Sequence, residues 1–180
     1  MRRLLLQGIV RRPLTELRPA LEDTELELIA AQLDQASRKR LGRSLSIREV
    51  DAGSCNGCEL EILALNNAFY DLERFGLKFV ASPRHADVLF VTGPVTKNMR
   101  EALERTYNAT PSPKWVVAVG DCAIDGGMFA ENYATVGGAS KVIPVNLTIR
   151  GCPPRPKNLL AGLLALMSMP HQDSMKPATP

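Results

Sequence analysis

Four cysteines, Cys55, Cys58, Cys122 and Cys152, are the side chains whose type and spacing suit metal chemistry. Cys55 and Cys58 enclose Asn56 and Gly57; Cys122 follows Cys58 by 64 residues and Cys152 lies another 30 on. Four thiolates gathered at one point make a site for a soft metal centre. Structural zinc is held by two short knuckles, each supplying a pair of ligands. This sequence offers one pair and two singles. Each single sits beside Gly or Pro: Gly120 precedes Cys122, and Gly151 and Pro153–Pro154 flank Cys152. Glycines let backbone amides approach sulfur closely, as an iron–sulfur cluster requires, and those hydrogen bonds tune its potential. The spacing favours one 4Fe–4S cluster. A zinc-stabilised interaction module and a plain thiol role stand beside it.

The thiols are not needed to staple the fold. A chain of 180 residues with 45% apolar and 23% charged side chains can bury a real core. No cleavable export signal is expected from the start of the chain, where Gln7, Gly8, Arg11 and Arg12 break the apolar stretch. The longest apolar run, residues 159–169, is 11 residues long. A bilayer span takes roughly 20. A reducing cytoplasmic setting is therefore expected, where disulfides are the less favoured fate of cysteine. The net charge of +3 is small and the aromatics are scattered, so nucleic acid is not an expected partner.

From residue 46 onward, short apolar strands alternate with helical stretches. Strands are expected at 47–50, 77–80, 88–91, 115–119 and 142–145, and helices at 58–74, 97–107 and 156–167. This alternation predicts an α/β fold: an open, mainly parallel sheet with flanking helices. Cys55 then lies five residues past one strand and Cys122 three past another, while Cys152 follows an apolar stretch ending at Ile149. A parallel sheet releases every strand at one edge, so three loops would carry four thiols to the edge where such sheets bind ligands.

The organisation expected is an N-terminal extension over 1–45, a thiol-bearing domain over 46–169 and a loose tail over 170–180. Residues 1–50 hold 10 basic and 7 acidic side chains, the whole net charge of the protein. One helix is expected in the extension. Thr24 and Glu27 have capping-box spacing, Leu26, Ile29, Ala30, Leu33 and Ala36 share a face, and Gly42 follows. It reads either as a capped surface helix or as a docking helix for a partner or membrane surface. Leu4, Leu5, Leu6, Ile9 and Val10 add apolar surface that favours docking.

Four stretches carry a family resemblance. Cys55-Asn56-Gly57-Cys58-Glu59 resembles the cluster motif of NiFe-hydrogenase small subunits. Residues 82–88, Gly120-Asp121-Cys122-Ala123 and residues 151–156 resemble the wider family that includes the 20 kDa subunit of respiratory complex I. The motifs match in order across about residues 46–167. The resemblance is nearer to the small subunits of formate hydrogenlyase and hydrogenase-4 type membrane-bound hydrogenases. Complex I relatives carry two adjacent cysteines at the first site, and glutamine where this chain has His85. Asp121, Ile124, Asp125 and Arg150 depart from the formate hydrogenlyase pattern.

The resemblance implies a flavodoxin-like core and an electron-transfer subunit of an oxidoreductase complex. It implies a single 4Fe–4S cluster on Cys55, Cys58, Cys122 and Cys152, nearest the active site of a hydrogenase-type large subunit. The other implied partners are a ferredoxin-like iron–sulfur subunit and integral membrane subunits. The implied place is peripheral, on the cytoplasmic face of the inner membrane. A quinone-end subunit of a complex I-type NADH/quinone oxidoreductase is the alternative. Four further residues are candidates. Glu59 either suits the helix dipole or stands as a polar group near the cluster, on a proton path. Arg84 and His85 are either a surface pair or a contact to the large subunit or quinone. Arg155 either offsets cluster charge or caps a loop.

Overall fold

The computed structural model describes residues 24–169. In chain order the elements are α1 (Thr24–Leu41), β1 (Leu45–Asp51), α2 (Gly57–Ala64), β2 (Leu77–Phe79), β3 (Val88–Thr92), α3 (Lys97–Ala109), β4 (Trp115–Val119), α4 (Asp121–Asp125), β5 (Leu147–Ile149) and α5 (Pro156–Ser168). The five strands form one sheet in the order β2-β1-β3-β4-β5, and every neighbouring pair is parallel. This is the strand order of flavodoxin-like doubly wound sheets, and it makes the space between β1 and β3 the topological switch point. The α/β architecture expected from the sequence is the one observed.

Both faces of the sheet are covered, which is why β3 and β4 read as unbroken apolar runs. All five residues of β3 are buried. Alternate side chains serve two cores. Leu45, Ile47, Val88, Phe90, Val117 and Val119 pack with Leu33 of α1, Ile62 of α2 and Leu159 and Leu163 of α5. Val50, Leu89, Val91, Val116 and Ala118 pack with Leu103 of α3 and Ala123 of α4.

Two elements differ from the sequence reading. The expected strand at 142–145 is absent, and the fifth strand is β5, two residues further on. Pro144 has no N–H to give to a ladder, and Val142 takes a helical conformation. Pairing begins at Asn146, whose N–H donates to the Val116 carbonyl while its side-chain oxygen accepts the Val116 N–H. The helix expected over 58–74 ends at Ala64. Asn67 Oδ1 accepts the Phe69 and Tyr70 amides, an Asx turn that offers the backbone an alternative to the helix. Asp71, at φ 44°, then sets up a short 3-10 turn, Leu72–Phe75.

Helix α1 runs to Leu41, with Gly42 following at φ +68°. Its apolar face, Leu26, Ala30 and Leu33, is buried within the chain itself. Arg40 fixes the far end of the packing. It donates to the Leu166, Met167 and Met169 carbonyls at the end of α5 and lies 4.6 Å over the Trp115 ring. Arg43 forms a two-pronged pair with buried Asp87, which also accepts the Ser46 amide. The basic front around Leu4–Val10 and the tail over 170–180 lie outside the described residues. Among the described residues no helix is long and apolar enough to cross a membrane.

Truncating fully buried Leu33 to Ala should destabilise the protein by about 2–5 kcal/mol. Truncating Leu28, on the exposed face of the same helix, should stay within about 0.5 kcal/mol. Denaturant midpoints of the two variants check this; equal losses would mean that Leu33 is not at the centre of the α1 packing.

Candidate metal centre

The parallel ladder delivers the thiols. Cys55 and Cys58 follow β1, Cys122 follows β4 and Cys152 follows β5, all from the C-terminal ends of strands. Cys122 and Cys152 each lie three residues past a strand end, Val119 and Ile149, and those two ends are paired neighbours. All four thiols are free. Cys58 and Cys122 are half-buried, and Cys55 and Cys152 are exposed.

Glycines permit the convergence. A Cβ on Gly120 would lie 2.6 Å from the Cys58 sulfur, so the β4 loop sits directly against the thiol carried from β1. Gly120 also has φ +85°, a conformation that favours glycine. A Cβ on Gly57 would lie 3.5 Å from the Cys55 sulfur and 4.0 Å from Pro153, which joins the β5 loop to the first pair. A Cβ on Gly127 would lie 3.1 Å from the Cys122 sulfur. The Met128 amide, in the same turn, hydrogen-bonds that sulfur.

The thiols oppose one another's ionisation. Burial, then Glu59, then Cys122, Cys55 and Cys152 push the Cys58 thiol up to about 12. Burial, with Cys152, Cys55 and Asp121, raises Cys122, and the Met128 amide counters this. Such a set ionises together only when cations enter it. The donor set is all sulfur, glycine backbone lies against it and an amide is aimed at one sulfur; these residues fit an iron–sulfur cluster. Among the described residues, no group of three His, Cys, Asp or Glu side chains is placed to hold a single metal ion.

Carboxylates lie beneath the thiols. Both Glu59 carboxylate oxygens and Glu49 Oε1 are buried without a hydrogen-bond partner among the described residues. Burial, then the Glu59 and Asp51 charges, raise Glu49 from 4.5 to about 7, against a smaller opposing pull from Arg48. Sequence reasoning missed Glu49. The available signal was a charged pair, Arg48–Glu49, inside a strand of a sheet covered on both faces. Of the other candidates, Arg155 is exposed at the N-cap of α5, directly after the Cys152 loop. Arg84 and His85 are exposed in the 3-10 turn Pro83–His85, which leads into the N-terminal end of β3. The thiol loops leave from the opposite ends of the strands.

With the site in view, the comparisons decide the family. Residues 55–166 match the family described as NADH ubiquinone oxidoreductase, 20 Kd subunit. The chain belongs to this family. It is 48% identical over 126 residues to the probable membrane-bound hydrogenase subunit mbhJ of Pyrococcus furiosus, covering 70% of this chain and 75% of that one. It is 42% identical over 142 residues to formate hydrogenlyase subunit 7 of Escherichia coli, covering 79% of this chain and 56% of the relative. It is 48% identical over 110 residues to an NADH-quinone oxidoreductase subunit of Rubrobacter xylanophilus, covering 61% of this chain and 44% of the relative. The chain thus spans less than two thirds of two of these three relatives. Family members are subunits of oxidoreductase complexes, among them membrane-bound ones. That bears out the expected resemblance.

Two outcomes test the geometry. Gly120→Ala should displace the Cys58 sulfur, because the added carbon has 2.6 Å where van der Waals contact begins near 3.4 Å, and bound metal should fall well below the wild-type content. Full metal content in that variant would refute the close approach. For Glu49, a carboxyl raised in the folded state contributes its full stability below pH 4.5 and loses it as pH rises toward 7. Glu49→Gln should therefore raise the denaturation midpoint above pH 7 and have little effect at pH 4.5. A gain of the same size at both pH values would assign the effect to packing instead.

Proposed function

We propose that this chain is the electron-transfer subunit of a membrane-bound, energy-converting NiFe-hydrogenase complex of the formate hydrogenlyase type. In this reading Cys55, Cys58, Cys122 and Cys152 hold one 4Fe–4S cluster, the one nearest the large subunit's active site. The observation that carries it is the arrival of four thiols, from three β→α connections and the helix starts that follow them, at one edge of a parallel sheet against glycine backbone. When bound, the cluster supplies one-electron transfer. The chain's residues supply its place and electrostatics. Gly57, Gly120 and Gly127 leave room beside the sulfurs, and the Met128 amide offsets charge on the Cys122 sulfur.

The surface near the thiols supports a partner there. Cys55 and Cys152 are exposed. Close in sequence to thiols, Leu60 and Leu63 of α2 and Met128, Phe129 and Tyr133 after α4 are large apolar side chains in water. Apolar groups gathered this way mark interaction surfaces. The partners in this reading are a hydrogenase-type large subunit at the thiol edge, a ferredoxin-like iron–sulfur subunit and integral membrane subunits. The place is the cytoplasmic face of the membrane. The separated Cys55-Asn56-Gly57-Cys58 pair supports the hydrogenase side. The 48% identity to an NADH-quinone oxidoreductase subunit supports the quinone-end role as the second reading.

Cys122→Ala should abolish the 4Fe–4S electron paramagnetic resonance signal on reduction, and an unaltered signal would remove Cys122 from the ligand set. Metal analysis of the natively purified complex separates the readings. Iron with nickel supports the hydrogenase; iron without nickel, with quinone-sensitive activity, supports the quinone-end role; zinc without iron sinks both.

A further inference from the structure

Asp121, Asp125 and Arg150, which stand apart from the formate hydrogenlyase pattern, occupy one small region of the structure. The β4–β5 ladder continues beyond the strands, with the Gly120 amide donating to the Ile149 carbonyl at 2.8 Å and the Asp121 amide to the Gly151 carbonyl at 3.0 Å. The Asp121 carboxylate then returns the contact, accepting the Gly151 amide at 3.2 Å. The Cys122 loop and the Cys152 loop are thereby joined one residue before each thiol.

The five-residue helix α4 brings Asp121 and Asp125 one turn apart, so two carboxylates share one side of a short helix. The Arg150 guanidinium lies 3.7 Å from Asp121 Oδ1 and 3.7 Å from Asp125 Oδ2, with the same nitrogen facing both. Asp125 has a second task. Its Oδ1 accepts the Gly127 amide at 2.9 Å, which fixes the turn that presents the Met128 amide to the Cys122 sulfur. One cation therefore connects the carboxylate that ties the two loops together to the carboxylate that shapes the surroundings of one sulfur. Without it, two negative charges would face each other beside Cys122.

We propose that Arg150 is a positioning residue that latches the Cys122 loop to the Cys152 loop, and that its charge sets the reduction potential of the cluster those loops hold. This rests on the cluster reading above for the potential, but not for the latch. All three side chains are more than a third exposed, so the latch weakens as salt screens it. Reduction adds negative charge, so a nearby cation favours the reduced cluster and a nearby carboxylate disfavours it.

The full 180-residue chain, reconstituted with iron and sulfide, is compared with Arg150→Gln, Arg150→Lys and Asp125→Asn. Arg150→Gln should exchange the Asp121 and Gly151 amides faster than wild type. A chelator should strip its iron roughly two- to fivefold faster, the range that two exposed ion pairs support. That rate should lose most of its salt dependence, and the potential should fall. Arg150→Lys, which keeps the charge, should restore the potential. Asp125→Asn, which keeps the Gly127 contact through its side-chain oxygen, should raise the potential. Wild-type amide exchange and iron release in Arg150→Gln overturn the latch. Shifts of the same sign in Arg150→Gln and Asp125→Asn, or no shifts, overturn the electrostatic role. A wild-type chain that takes up no iron sinks the cluster reading, and amide exchange still decides the latch.

Discussion

Everything at the thiol edge depends on the parallel pairing of the strands. A parallel strand ends where its neighbours end, so loops far apart in sequence open onto one strip of surface. Here β1, β4 and β5 release their chains toward the same edge, and each of the three following β→α connections brings cysteine there, Cys58 and Cys122 already in the first turns of α2 and α4. An antiparallel partner for any one of them would send its thiol to the far side of the molecule. The two cores on either face of the sheet therefore act on the site indirectly. Leu33, Ile62, Leu103 and Leu163 hold the helices that keep the strands in register, and register sets where each loop begins.

Convergence brings like charges together, and the structure contains both the problem and part of the remedy. Thiols resist joint ionisation, and Glu59 adds negative potential to Cys58 from within the fold, while burial and the Glu59 charge push the Glu49 carboxyl toward its neutral form. The described counterweights are small or shared with carboxylates. They are an amide from Met128, and Arg150, which is engaged with Asp121 and Asp125. A site with this balance is unfavourable when empty and favourable when filled by a positively charged centre, so metal binding and local order are linked here. Among the described residues, nothing partners the two oxygens of Glu59 in its partly buried place.

Sequence periodicity showed most of this, and the exceptions have physical causes. β3 and β4 were legible because both faces of a covered sheet demand apolar side chains. Placement of Cys122 three residues past β4 was legible from the same run. β5 was misplaced because 142–145 has the right apolar character but contains Pro144, and ladder donation rather than hydropathy decides a strand. The end of α2 was overlooked because Asn67 acts through a side-chain hydrogen bond that no hydrophobic pattern reports. Glu49 was overlooked because a charged residue inside a strand pattern looks like a surface position. Only the helices on both sides reveal it as half-buried.

The N-terminal helix illustrates how a charge pattern and a packing pattern can be read together. Its charged ends tie it to the domain. Glu25 pairs with Lys157 at the start of α5, and Arg40 caps the end of that helix. Acid at one end and base at the other match the two ends of an adjacent helix as well as the dipole of α1 itself. With Leu26, Ala30 and Leu33 facing inward, α1 leaves Leu28 in water, and further apolar side chains are exposed elsewhere, among them Leu60, Leu63, Met128 and Tyr133. Leu60, Leu63 and Met128 lie within six residues of a cysteine in the sequence. A surface that covered exposed Cys55 and Cys152 together with Leu60 and Met128 would exclude water from the sulfurs.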